Sequence, residues 1–228
     1  MPRLAIPLFH GTSTALLPSI ARFGLGGGDP VSAFNAVGCL NALSSLADTA
    51  LSEDDWWASE ADCTHRMCAQ SVSAGGFNFR HGQTYVSASE LTAVRYAITN
   101  CVGSELLSTC IELRRRLLPF PSERLAAIEF QHRELFSLSE GNPQPLLLRM
   151  NGVATEHLLS ETGDSPSSVL ASVAELVSCG LQEALEGHNF ILSTPMAPGA
   201  VQVFSIKVVQ EDRSFPKYSL GKHVPSVT

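Results

Sequence analysis

"QTYVSASELTAVRYA", residues Gln83–Ala97, changes period partway along. Tyr85 and Val86 belong to a short run of β-forming residues, whereas Leu91, Val94 and Ala97 recur at the spacing of one helix face. Between the two patterns, Ser87 and Glu90 have the S-x-x-E spacing of a capping box, in which the serine hydroxyl takes an otherwise unpaired amide of the first helical turn. The stretch predicts a strand, a tight turn and a helix. Tyr85 falls on the strand and Tyr96 on the helix, eleven residues apart.

The same unit opens the chain. Leu4 to His10 is a short apolar run that predicts a strand, closed by "LFHGTS" (Leu8–Ser13). Ser13 stands where an N-cap would precede Leu16, Leu17 and Ile20, and Gly24 is placed to stop that helix. Further on, "QPLLLRMNGV" (Gln144–Val153) predicts a buried strand. Ser165 or Ser167 opens a helix with the stripe Val169, Val173, Leu176, Val177 and Leu181, ended by Gly187. "NFILS" and "VQVFSIKVV" predict two last strands joined by "TPMAPGA". Strand–helix pairs mixed with adjacent strands predict an α+β fold with an antiparallel sheet rather than regular βαβ winding.

Residues 28–74 are rich in Ala, Ser and Gly and carry Leu40, Leu43 and Leu46 at helical spacing, followed by Trp56-Trp57. They predict a mostly helical insertion in a single domain spanning 1–212, with a loose tail over 213–228. Residues 104–138 predict helices broken at "PFPSE".

The totals exclude some function classes. The 228 residues, 44% apolar, suffice for one sizeable core. Fifteen Lys and Arg stand against 22 Asp and Glu, a net charge of −7, so no basic surplus exists for a large nucleic-acid footprint. Arg114-Arg115-Arg116 reads as a solvated helix face. No apolar run approaches the length of about 20 residues that spans a bilayer, and the apolar part of "MPRLAIPLFHG" is too short for a signal peptide. The expectation is a cytoplasmic protein without membrane contact, or one delivered into a host cell by a route that needs no signal peptide. The six cysteines lack framework spacing and read as buried free thiols. "CTHRMC" (Cys63–Cys68) has no second cluster to complete a zinc site, so no metal is expected.

"LFHGTS…IARFGL" followed by "GFNFRHGQTYVSASELTAVRYA" resembles the ADP-ribosyltransferase catalytic domain of the diphtheria-toxin and poly(ADP-ribose) polymerase type. The match covers residues 4–27 and 75–100 by motif and 188–209 by pattern. It implies a split antiparallel sheet flanked by helices, and NAD as co-substrate. By resemblance, His10 holds an NAD ribose hydroxyl as a neutral imidazole, the backbone of Gly11 takes the nicotinamide carboxamide, and Thr12 belongs to the same cofactor-binding turn. Tyr85 and Tyr96 would sandwich the nicotinamide ring, for which flat aromatic faces suit a flat cation.

The family's third position is a glutamate at the start of a late strand, and here Asn189 stands in that place. The resemblance thus gives His10, Tyr85 and Asn189 as the catalytic set. Asparagine keeps a hydrogen bond but carries no charge and cannot act as a base. Polymer synthesis is therefore not expected. The expected activity is single ADP-ribose transfer to a macromolecular acceptor, a protein before a nucleic acid, with release of nicotinamide, as a bacterial toxin or effector would perform. Restoring the charge by Asn189→Glu is expected to raise NAD hydrolysis.

Glu183, Glu186 and Glu211 are the carboxylates nearest Asn189 in sequence. Polymerases bond the carboxamide with a serine where this chain has Ala93, and Thr92 is a neighbouring stand-in. The alternative is a catalytically degenerate module on the same fold that binds NAD, ADP-ribose or only a protein partner. The related tRNA 2′-phosphotransferases place an arginine beside the histidine, and none adjoins His10.

Overall fold

The computed structural model describes residues 2–71, 78–210, 212 and 216–223. Its strands are β1 (Leu8–Ser13), β2 (Tyr85–Ser87), β3 (Pro145–Met150), β4 (Leu158–Leu159), β5 (Asn189–Leu192), β6 (Val201–Gln210) and β7 (Lys217–Lys222). Its helices are α1 (Leu17–Phe23), α2 (Pro30–Ala33), α3 (Ala36–Ala50), α4 (Asp55–Cys68), α5 (Glu90–Thr99), α6 (Glu105–Leu117), α7 (Glu123–Gln131), α8 (Arg133–Ser137) and α9 (Ser167–Ser178). The chain divides into two compact units, one of residues 1–28, 83–103 and 144–228, the other of 29–82 and 104–143. The helical insertion expected at 28–74 is thus part of a larger helical unit that also takes in 104–143.

The first unit is built on a sheet of order β4-β5-β2-β1-β3-β6-β7 in which every neighbouring pair is antiparallel. This is an α+β architecture, as the element order predicts. Leu146, Leu147 and Leu148 of β3 are all fully buried, a continuous apolar run instead of an alternation. The reason is that both faces of the sheet are covered. Phe9 and Leu147 pack with Ala93, Val94 and Ala97 of α5, while Leu8, Leu148 and Phe190 pack with Val173 of α9 and Ile20 of α1. Each fully buried leucine stabilises the unit by about 1.5–3 kcal/mol relative to exposure.

The sheet is joined unevenly in the middle. All six residues of β1, Leu8 to Ser13, pair with β3, but among the described residues β1 and β2 register at a single pair, Phe9↔Ser87.

Tertiary pairing overrides several local signals. Ser13 does not cap α1, because it is held in the β1–β3 ladder opposite Pro145. The helix starts at Leu17, with proline in its first turn, and Gly24 ends it at φ 83°. Ser87 does not form the capping box either, since it pairs with both Phe9 and Asn189. Ser89 caps α5 instead, its hydroxyl accepting from the Thr92 amide at 3.2 Å. The stripe helix ends with Cys179 and Gly180 (φ 72°), well before Gly187, and Leu181 is left 54% exposed beyond it. The expected loose tail is also corrected. Lys217–Lys222 forms β7 against β6, with Tyr218 and Leu220 packed on the α5 side of the sheet. Residues 213–215 and 224–228 of that segment lie outside the described residues.

The helical unit buries Leu40 and Leu43 of α3, Trp57 of α4, Leu106, Leu107 and Leu113 of α6, and Leu125 and Ile128 of α7. Residues 72–74 of the expected insertion lie outside the described residues. The Arg114–Arg116 run is an ion-paired face. Arg114 meets Glu129 at 2.6 Å, while Arg115 and Arg116 both meet Glu112. The thiols do not share one environment: Cys39 and Cys110 are buried, Cys63 and Cys68 half-buried, Cys101 and Cys179 exposed. Burial pushes the Cys110 thiol well above the usual range, with Cys39 beside it adding to the shift. Among the described residues no helix is long and apolar enough to cross a membrane.

Candidate functional site

The site is built where β1 and β2 part. One residue beyond the Phe9↔Ser87 pair, His10 Nδ1 lies 2.7 Å from the Tyr85 carbonyl oxygen. A carbonyl can only accept, so Nδ1 carries the proton and donates it. The tautomer follows: Nε2 is the acceptor nitrogen. Burial lowers the imidazole pKa from 6.5, and the Tyr85 hydrogen bond offsets only part of that shift. His10 is therefore neutral at pH 7, with a single acceptor atom to offer.

Gly11 sits in the body of β1 opposite Leu147. A Cβ there would stand 2.0 Å from the Ala93 carbonyl oxygen and 2.9 Å from the Ala97 amide nitrogen of α5. Glycine is thus required by the approach of helix to strand. It also explains Ala93, which is 4% exposed and small because its backbone touches Gly11. Thr12 is fully buried, its hydroxyl without a hydrogen-bond partner among the described residues. It lies under Gly103 (φ 81°), where a Cβ would come within 2.6 Å of Thr12 Oγ1. The Thr12 side chain therefore lines no open surface in this conformation.

The two tyrosines stand as the spacing predicts, one on β2 and one on α5. Tyr85 is half-buried, with its hydroxyl 3.4 Å from Gln83 Oε1. Tyr96 is 37% exposed. Its carbonyl takes hydrogen bonds from both the amide and the side chain of Asn100, at 3.1 and 2.9 Å, which fixes the last turn of α5. Asn100 is a supporting residue that sequence inspection did not single out. The signal in the sequence is an asparagine one helical turn after Tyr96, a residue type suited to taking the unpaired carbonyls of a helix end.

Register places the remaining residues. Ser87 pairs with Asn189 and Tyr85 with Ile191, so these four side chains share one face of the sheet. Phe9, paired with Ser87, points to the same face and packs on α5. Val86 and Phe190 belong to the core on the other face. Tyr85 and Asn189 are thus diagonal neighbours, a relationship that separates two residues by roughly 7–8 Å, within reach of an aromatic side chain.

Asn189 is not alone. Its Nδ2 donates to Glu161 Oε1 at 3.0 Å. Leu159, the last residue of β4, pairs with Ile191, and the turn that leaves β4 there carries Glu161 to Asn189. Glu161 escaped sequence inspection because it lies 28 residues from Asn189 in the chain. The other carboxylates do not fill the position: Glu186 pairs with Arg95, Glu183 is exposed, and Glu211 lies outside the described residues. Thr92 Oγ1, the stand-in for the family's serine, is buried without a partner among the described residues. Among the described residues no group of three His, Cys, Asp or Glu side chains gathers to hold a metal ion.

In comparisons with known proteins, no family model matches the chain, and no curated protein and no solved structure matches it.

Proposed function

We propose that the chain is an NAD-dependent mono-ADP-ribosyltransferase, transferring one ADP-ribose unit from NAD to a protein acceptor and releasing nicotinamide. The observation that carries this reading is the His10–Tyr85 contact at the parting of β1 and β2. It ties the His10 ring to the backbone of Tyr85 and leaves the imidazole in a neutral form with one acceptor nitrogen, which suits the holding of a ribose hydroxyl.

Each residue then has a physical task. His10 Nε2 accepts from a ribose hydroxyl and orients the sugar. Tyr85 and Tyr96, from strand and helix, offer the aromatic faces that attract a cationic ring, about 0.5–2 kcal/mol for each well-placed face. The close seat of α5 on Gly11 sets the helix, and so Tyr96, relative to β1. Asn189 Oδ1, on the opposite side of the amide from the nitrogen that Glu161 takes, is an acceptor for a second ribose hydroxyl. Held in this way, the bond between ribose and nicotinamide breaks towards a cationic sugar, and an acceptor nucleophile attacks the anomeric carbon. The −7 charge and the absence of a basic surplus favour a protein acceptor over a nucleic acid.

A second reading is favoured by one residue. Asn189 itself brings no charge to the developing cation, as a binding module that retains NAD or ADP-ribose without turnover would have it. Thermal melts with added NAD, combined with measured nicotinamide release, separate the two. The transferase shows both stabilisation and release, and both are lost in His10→Ala and Tyr85→Ala. Stabilisation without release selects the module, and neither effect refutes both.

A further inference from the structure

We propose that Glu161 supplies the carboxylate of the transfer site, from the turn after β4, in place of one carried on β5. The inference rests on the NAD-transfer reading above and names a catalytic residue within it. Three observations support it.

First, Glu161 Oε1 accepts from Asn189 Nδ2 at 3.0 Å, so a negative charge is held directly at the residue where the strand itself has none. Second, β4 ends at Leu159, which pairs with Ile191, so the turn that follows carries Glu161 alongside the start of β5, where Asn189 pairs with Ser87 on the face that bears Tyr85. Third, the turn that carries Glu161 is closed on itself. The Ser160 amide donates to the Asp164 carbonyl at 3.0 Å, the Gly163 amide returns to the Ser160 carbonyl at 2.9 Å, and Ser160 Oγ accepts from the Asp164 amide at 3.1 Å. Thr162 Oγ1 adds a bond to Asp164 Oδ2 at 2.8 Å. Gly163, at φ 90°, supplies the conformation such a closure needs. A carboxylate held by a bonded turn and an amide costs little reorganisation as charge develops beside it.

The step balances without any further reactant. The bond between the ribose anomeric carbon and the nicotinamide nitrogen breaks, and its electron pair goes to the nitrogen, which loses its positive charge. The sugar is left as an oxocarbenium ion facing Glu161. A hydroxyl oxygen of the acceptor, or water, bonds to the anomeric carbon, and its proton passes to the Glu161 carboxylate and on to solvent. Asn189 acts as a positioning residue for Glu161 and keeps Oδ1 for the sugar.

The test uses the whole chain with NAD and measures nicotinamide release, NAD affinity and melting temperature in Glu161→Gln and in Glu161→Gln/Asn189→Glu. The expected result is an about 100-fold loss of kcat in Glu161→Gln. NAD affinity should stay within about threefold and the fold should be unchanged, because the lost interaction is made in the transition state. The double variant, with the carboxylate returned to β5, should regain about tenfold or more of that loss. Full turnover by Glu161→Gln overturns this inference alone and leaves the NAD reading standing. So does a loss of turnover that follows a lost fold or lost NAD affinity, or a double variant without recovery. Absence of NAD turnover in the unaltered protein overturns the transferase reading and this inference with it.

Discussion

His10 donates from Nδ1 to the Tyr85 carbonyl, so two residues 75 positions apart are locked across the point where β1 and β2 part. The imidazole is thereby fixed in orientation, tautomer and charge. Its pKa is lowered by burial, against the partial opposition of that hydrogen bond. A histidine whose folded pKa lies below its unfolded value contributes stability that is fully present above the unfolded value near 6.5 and is lost as pH falls through the folded one. The protein is therefore expected to lose stability on acidification below about pH 6.5. Chemical denaturation at a series of pH values, with His10→Gln as control, measures this. The control should lack that component of the pH dependence while keeping a side-chain donor to the Tyr85 carbonyl.

The seat of α5 on β1 gives a second expectation. Gly11→Ala forces a methyl group into the Ala93 carbonyl, which is backbone and cannot rotate away. Overpacking of this kind costs about 3 kcal/mol, the upper end of the usual range. Urea denaturation should show that loss, and NAD affinity should fall with it because Tyr96 rides on the displaced helix. A Gly11→Ala protein of unaltered stability would contradict the packing described.

The terminal strand is tied to the same helix. Tyr218 of β7 donates its hydroxyl to Glu90 Oε1 at 2.9 Å, in the first turn of α5. Burial, with the Glu90 hydrogen bond and charge adding to it, pushes the phenol up to about 12. A tyrosine whose folded pKa is raised contributes stability that is full below its unfolded value of about 10 and is lost as pH climbs through the folded one. Tyr218→Phe should lower stability at neutral pH by about 0.5–1 kcal/mol, since solvent screens this partly exposed bond. It should also remove the alkaline loss between about pH 10 and 12.

Asn189→Glu is expected from sequence alone to raise NAD hydrolysis, and Glu161 reverses that expectation. The substitution sets a second carboxylate against Glu161 where the amide now donates at 3.0 Å. Like charges in such contact raise a carboxyl pKa in the folded state. The single variant should therefore release nicotinamide more slowly than the unaltered protein, and its loss of stability relative to the unaltered protein should be smaller near pH 5 than near pH 8. Pairing it with Glu161→Gln should relieve both effects.

Much of the fold was legible because the signals were local. The switch from strand to helix in Gln83–Ala97, the stop at Gly24 and the apolar run of β3 each depend on residues close in sequence, and each stands where it was expected. The errors arise where partners are distant. Ser87 and Ser89 both suit a helix start, and the pairing of Ser87 with Phe9 and Asn189 decides between them. β7 was missed because Tyr218 and Leu220 form too short an alternation to read without β6 beside it. His10, Tyr85, Tyr96 and Asn189 were singled out by motif. Glu161 was not, because its contact with Asn189 is made by the turn after β4, 28 residues away, and leaves no trace in local spacing.

The most direct test of the central claim is a single-turnover reaction with NAD labelled in both the nicotinamide and the adenylate, in the presence of candidate acceptor proteins. The account predicts that nicotinamide is released together with stable transfer of one adenylate label per modified site, and that His10→Ala abolishes both. Intact NAD after prolonged incubation with folded protein, with no label transferred, would contradict it.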